Sequence, residues 1–155
     1  VEDMVNALNK KLSKKEGAQT ATMGAALGHI QGLGWKGWTL TEETDISALA
    51  SSIHQEFLQV GKPYLEKYSS YEAALEALRH DDRKAWLLHQ PFHGKRAQSA
   101  VALAVLLGDE KLVKETIAAK TRYLEERVAQ FGGPQDQLDL EKFRQFLSYH
   151  GLTDR

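Results

Sequence analysis

Most of the chain shows the three-to-four-residue spacing of apolar positions that is typical of amphipathic helices. One stretch departs from this pattern, because residues 97–107 are apolar on almost every side and only Gln98 and Ser99 are polar. A helix without a polar face belongs in the middle of a bundle, so this stretch predicts a central helix. Gly108 and Asp109 then supply a helix stop and a new N-cap, which predicts a tight connection to the next helix.

Two amphipathic helices are predicted after this connection. The first is about twenty residues long by its pattern, and it ends at the strong break formed by Gly132, Gly133 and Pro134. The second runs from about Asp139 to Tyr149 and turns its apolar residues towards the core. Both are expected to pack on the central helix.

Two more helices are predicted in the first half of the chain. One has Asp45 as its N-cap, Gly61 is expected to end it, and Pro63 is expected to prevent it from resuming. Its apolar face consists of Ile46, Leu49, Ala50, Ile53, Phe57 and Val60. Ser69 and Glu72 form a capping-box pattern that opens the other helix. The predicted buried face of that helix consists of Tyr71, Ala74, Leu75 and Leu78.

The first forty residues are less regular. Residues 2–15 carry a narrow apolar seam formed by Val5, Leu8 and Leu12, which predicts a short helix. Residues 29–41 contain several glycines and two tryptophans, and they predict an extended segment or a small β-hairpin.

Together these elements predict a mainly α fold, a single compact bundle of about six helices formed by residues 1–155 as one domain. The composition agrees, since 155 residues with 42% hydrophobic and 26% charged describe an ordinary globular domain. No apolar run of about 18 residues and no signal-peptide core occur, so we expect no membrane association and a cytoplasmic location. Cysteine is absent, which excludes disulfides and thiolate metal sites. The chain starts at Val1, so we expect an initiator or a longer upstream segment to have been removed.

The segment from Arg79 to Arg96 is locally basic in a chain whose formal net charge is −1. Two explanations remain open. In the first, Asp81 or Asp82 folds over and pairs with Arg96. In the second, the segment binds a phosphate or carboxylate of another molecule at a helix N-terminus. The candidate anion-binding residues are then His89, His93, Lys95 and Arg96.

Metal and nucleotide sites are not predicted. His89 and His93 are four residues apart, which is a metal-binding spacing on a continuous helix, but Pro91 interrupts that helix. The glycine-rich stretch 32–37 matches the dinucleotide fingerprint in its letters, yet no parallel strand is predicted before it. No nucleophile elbow or phosphate-binding loop occurs. We therefore expect no metal and no cofactor, and a binding protein rather than an enzyme.

Two stretches, Gly61–Ser69 and Ala100–Asp109, are similar to the helical C-terminal part of uncharacterised bacterial proteins of the domain-of-unknown-function kind. The resemblance covers about residues 38–150 and depends on the pattern of apolar and polar positions. It implies a helical fold and a bacterial origin. It implies no established reaction, so no catalytic residue is carried over.

These observations favour a protein–protein interaction or regulatory module, because amphipathic faces and a charged loop are present and a catalytic set is not. The expected contact surface is the seam formed by Val5, Leu8 and Leu12, with the basic segment as another. A small-anion or phosphometabolite binder, or an enzyme, built on the His89–Arg96 segment is the alternative. Weak nucleic-acid binding is a third interpretation, disfavoured because the chain is slightly acidic.

Overall fold

The computed structural model describes residues 23–153. Its helices are α1 (Leu27–Ile30), α2 (Ile46–Glu56), α3 (Lys62–Lys67), α4 (Tyr71–Arg79), α5 (Arg83–Leu88), α6 (His93–Leu107), α7 (Glu110–Phe131) and α8 (Pro134–Tyr149). A π turn, Phe57–Gly61, joins α2 to α3. No strand occurs in residues 23–153, so the mainly α fold class is confirmed, and residues 34–41 form neither a helix nor a hairpin. The predicted helix over residues 2–15, with its seam of Val5, Leu8 and Leu12, lies outside the described residues.

The core is built around α6, which contacts α4, α7 and α8. Every residue from Ala97 to Ala104 is buried, so the prediction of a central helix is confirmed. The connection to α7 also follows the prediction, because Gly108 adopts a left-handed conformation with φ of 74° and Asp109 caps α7. A residue with a side chain rarely adopts this conformation, and glycine adopts it without a steric penalty.

The expectation that Gly61 ends a helix and Pro63 prevents its continuation is wrong. The chain stays helical from α2 through the π turn into α3, and the amide of Lys62 donates to the carbonyl of Phe57. The π turn changes the hydrogen-bond register just before Pro63, which then lies in the first turn of α3, where its missing amide hydrogen costs little. Gly61 serves packing instead, since a Cβ there would lie 2.6 Å from the Phe57 ring.

Two helix starts differ from the prediction. The N-cap of α4 is Ser70 rather than Ser69, because the Ser70 hydroxyl accepts from the amide of Ala73. This places Tyr71 on the exposed side of α4, and the buried residues are Ala74, Leu75, Ala77 and Leu78. Helix α8 begins at Pro134 because the fixed φ of proline suits a first helical turn.

Candidate functional site

Arg96 is buried inside the bundle, with only 1% of the residue exposed. Its Nε donates to Asp81 Oδ1 at 3.2 Å, which confirms the predicted pairing of Asp81 with Arg96. Its two terminal nitrogens donate to four backbone carbonyls, those of Ala77, His80, Ala85 and Gln90. A guanidinium has five N–H donors, and all five of these have acceptors within the protein. Arg96 therefore ties α6 to the end of α4 and to α5.

A second buried cation shares the same carboxylate. Lys120 is 1% exposed, and its Nζ lies 2.7 Å and 2.6 Å from the two Asp81 carboxylate oxygens. The same nitrogen donates to the Arg79 carbonyl at 3.1 Å. Burial lowers the pKa of Lys120 and of Arg96, and the negative charge of Asp81 opposes both shifts. The result is a buried network of two cations on one carboxylate, which joins α6, α7 and the α4–α5 loop.

His93 begins α6 in a different environment. Its Nδ1 lies 2.7 Å from the Tyr123 hydroxyl, and its ring stacks on Trp86 with 5.9 Å between centroids. Burial lowers the pKa of His93. The Asp139 carboxylate lies against Gly94, where an added Cβ would be 3.0 Å from Asp139 Oδ1. A carboxylate of the protein itself thus lies at the first turn of α6, where negative charge complements the helix dipole.

The four predicted anion-binding residues do not converge on one point. Arg96 faces Asp81, His93 faces Tyr123, and Lys95 is half-buried on α6. His89 is buried in an aromatic cluster with Tyr64 and Tyr68 on the side of α5 and α3. Anion binding by these residues stays a prediction.

The most exposed apolar side chains lie in and before α2. Trp35 is 82% exposed, Leu40 67% and Ile46 61%. Helix α2 has its main contact with the adjoining π turn rather than with the bundle. No Asp, Glu, Lys or Arg occurs from Ile46 to Gln55, although most of these positions are exposed. An exposed helix is ordinarily covered by charged residues on its outer side, so this composition is unusual.

The segment before α2 is fastened along that helix at both ends. The Lys36 Nζ lies 2.8 Å from each carboxylate oxygen of Glu56, the last residue of α2. At the other end, Asp45 Oδ1 accepts from the amide of Ala48 at 3.0 Å and caps α2. These contacts hold the two ends of segment 36–45 at opposite ends of α2, which is about 16 Å long. We name the exposed apolar residues of this region the α2 surface: Leu33, Trp35, Trp38, Leu40, Ile46, Phe57 and Leu58.

Lys120 and Asp139 are buried charged residues that were not identified from the sequence, and the pattern contains a signal for each. Lys120 falls on the apolar side of α7, three residues after Ile117 and four before Leu124. Asp139 lies one turn before the buried Phe143 in α8. A charged residue at a core position of an amphipathic helix predicts a buried partner of opposite charge.

Within residues 23–153, no group of three or more His, Asp or Glu side chains could hold a metal ion. In the same part of the chain, the helices are too short or too polar to cross a membrane. When the chain is compared with protein-family models, curated proteins and solved structures, none of them matches it.

Proposed function

We propose that this protein is a protein–protein interaction module that binds its partner through the α2 surface. The observation that carries the proposal is the uncharged, exposed face of α2, accompanied by two exposed tryptophans. Contiguous exposed apolar surface marks interaction sites, and tryptophan is enriched among the residues that dominate binding energy. A bacterial, cytoplasmic setting belongs to the same proposal, and the absence of cysteine suits a reducing compartment.

The composition of the α2 surface also indicates the chemistry of the partner surface that would bind it. Lys36 and Glu56 neutralise each other and α2 carries no charged residue from Ile46 to Gln55, whereas the exposed Glu42, Glu43 and Asp45 add negative charge just before the helix. The exposed residues of α2 between Ala48 and Ser52 are all small, since Leu49 is half-buried, and small residues let a partner backbone approach closely. An apolar helix or groove with few charges fits these features best, because burying an unpaired charge would cost free energy.

Site-specific crosslinking tests the proposal. A photoreactive phenylalanine analogue is placed at Ile46 on the α2 surface, or at Leu138 as a control, since Leu138 is also an exposed apolar residue but lies on α8. We expect discrete crosslinked proteins from position 46 in an extract of the source cell, and none of them from position 138. The products should disappear when unlabelled wild-type protein competes, and should persist when an unlabelled Ile46→Asp variant is the competitor.

Two results would contradict the proposal. One is equal competition by wild type and by Ile46→Asp, which would show that the α2 surface contributes nothing to binding. The other is the same set of products from both positions, which would indicate non-specific contact. Circular dichroism of the Ile46→Asp variant establishes that it is folded, as expected for an exposed position.

A further inference from the structure

A cleft of ≈ 680 Å³ lies on the side of the molecule where α1, the π turn and α3 face α5. This volume is in the usual range for sites that bind small molecules. Much of its wall is apolar and is formed by Ile30, Val60, Pro63, Ala85 and Leu88. The cleft and the α2 surface share no residues, so the inference drawn from it does not rest on the proposed function.

A fixed hydrogen-bond acceptor is built into this cleft. The Tyr64 hydroxyl donates its single hydrogen to the Leu88 carbonyl at 2.7 Å. The contact of 3.1 Å between the Tyr64 oxygen and His89 Nδ1 must then be a donation from the imidazole N–H to the tyrosine. Burial, together with the nearby charges of Arg96 and Lys67, lowers the pKa of His89 to about 4, so the ring is neutral near pH 7. A neutral imidazole that carries its hydrogen on Nδ1 has a free lone pair on Nε2, which can accept a hydrogen bond.

The cleft also combines aromatic rings with positive charge. The Tyr68 ring lies 5.0 Å from the Tyr64 ring and 4.8 Å from the His89 ring, measured between centroids. Lys67 and Lys84 line the cleft together with one carboxylate, that of Asp82. The Asp82 carboxylate is the N-cap of α5, because its Oδ1 accepts a hydrogen bond from the amide of Ala85. The lining therefore favours a ligand that carries negative charge and a flat apolar body.

We propose that this cleft binds a small aromatic carboxylate that also carries a hydroxyl group. The carboxylate pairs with Lys67 and Lys84, and the ring lies against the apolar and aromatic wall. The hydroxyl donates a hydrogen bond to His89 Nε2. Each of the three features of the cleft thus selects one chemical feature of the ligand.

Three probes separate these contributions in a titration of the full chain followed by amide chemical shifts in NMR spectra. 4-Hydroxybenzoate carries all three features, benzoate lacks the hydroxyl, and 4-hydroxybenzyl alcohol lacks the carboxylate. We expect 4-hydroxybenzoate to shift the amides of residues 59–62, 64–68 and 84–89, and each of the other probes to bind about tenfold more weakly. The inference is overturned by an absence of shifts at millimolar 4-hydroxybenzoate, by shifts that map elsewhere, or by equal affinity for the alcohol.

A matched pair of lysine variants tests the charge contribution without disturbing the core. Lys84 and Lys114 are both exposed helical lysines, but only Lys84 lines the cleft. Lys84→Gln should weaken binding of 4-hydroxybenzoate several-fold, whereas Lys114→Gln should leave it unchanged. Equal effects of the two substitutions would show that the ligand responds to overall charge rather than to this cleft.

Discussion

Replacing Asp81 by alanine removes the only carboxylate that the described structure places between Arg96 and Lys120. Both cations are 1% exposed, and each lies within ion-pair distance of Asp81. In the Asp81→Ala variant the two charges would stay buried near each other without a counter-charge. The backbone carbonyls that they also contact satisfy hydrogen bonds but carry no net charge.

We expect a large loss of folding stability, because Arg96 and Lys120 would be buried away from water without a counter-charge. Removing one partner of a buried ion pair typically destabilises a protein by about 3–5 kcal/mol, since the remaining charge is left uncompensated. A single domain has a total stability of about 5–15 kcal/mol, so the variant should fold but unfold at much lower urea concentration. Asp82→Ala is the matched control, because the neighbouring carboxylate is exposed and only caps the short helix α5. Urea unfolding followed by circular dichroism measures both variants.

A double-mutant cycle with Lys120→Met measures how much of the stability lost in Asp81→Ala comes from the interaction between Asp81 and Lys120. In the wild-type background this substitution should destabilise the protein, because Asp81 Oδ2 and the Arg79 carbonyl lose the hydrogen bonds that Lys120 donates. In the Asp81→Ala background it should increase stability, because it removes one of two unpaired buried charges. The coupling between the two sites should be of the order of 1–3 kcal/mol. The reasoning would be refuted if Asp81→Ala cost no more than Asp82→Ala, or if the two substitutions were additive.

Three other results follow from the structure. Leu103→Ala should destabilise the protein by about 2–5 kcal/mol, and Leu106→Ala by much less, because Leu103 is in the core and Leu106 is exposed on the same helix; urea unfolding of the pair checks this. Gly28→Ala should cost about 1–3 kcal/mol, since a Cβ would overlap the Gly34 carbonyl oxygen, and a fall in melting temperature would show it. Lowering the pH from 6.5 to about 4 should reduce the free energy of unfolding by about 1–2 kcal/mol through His89. The pKa of His89 is lower in the folded protein than in the unfolded chain, so over this pH range the proton binds mainly to the unfolded chain and stabilises it. His89→Gln should flatten that part of the pH profile, and an unchanged profile would contradict the assignment.

The architecture was largely predictable where local signals were strong. The uncharged run 97–107 in α6 and the Gly108–Asp109 junction are each determined by one strong local signal, and the structure follows both. The continuation of α2 into α3 was not predictable from the glycine and the proline, because a π turn shifts the hydrogen-bond register between them. Gly61 is closely packed against Phe57 in this turn, and a sequence pattern does not display that contact.

The candidate sites were less predictable than the fold because they depend on which elements meet. The sequence suggested that Asp81 or Asp82 could pair with Arg96, but Lys120 completes the network from 39 residues away. The exposure of α2 could not be anticipated either, since its apolar face has the spacing of a buried one. A helix periodicity predicts that a face will be covered, and it does not identify what covers it.

The central claim is that a partner protein binds the α2 surface. Hydrogen exchange of the protein, measured with and without the partner that crosslinking identifies, tests this claim most directly. We expect the backbone amides of residues 46–56 to exchange quickly in the protein alone and to become protected in the complex, while those of α6 are protected in both states. Protection that appears only on α7 or α8, with α2 unchanged, would contradict the account.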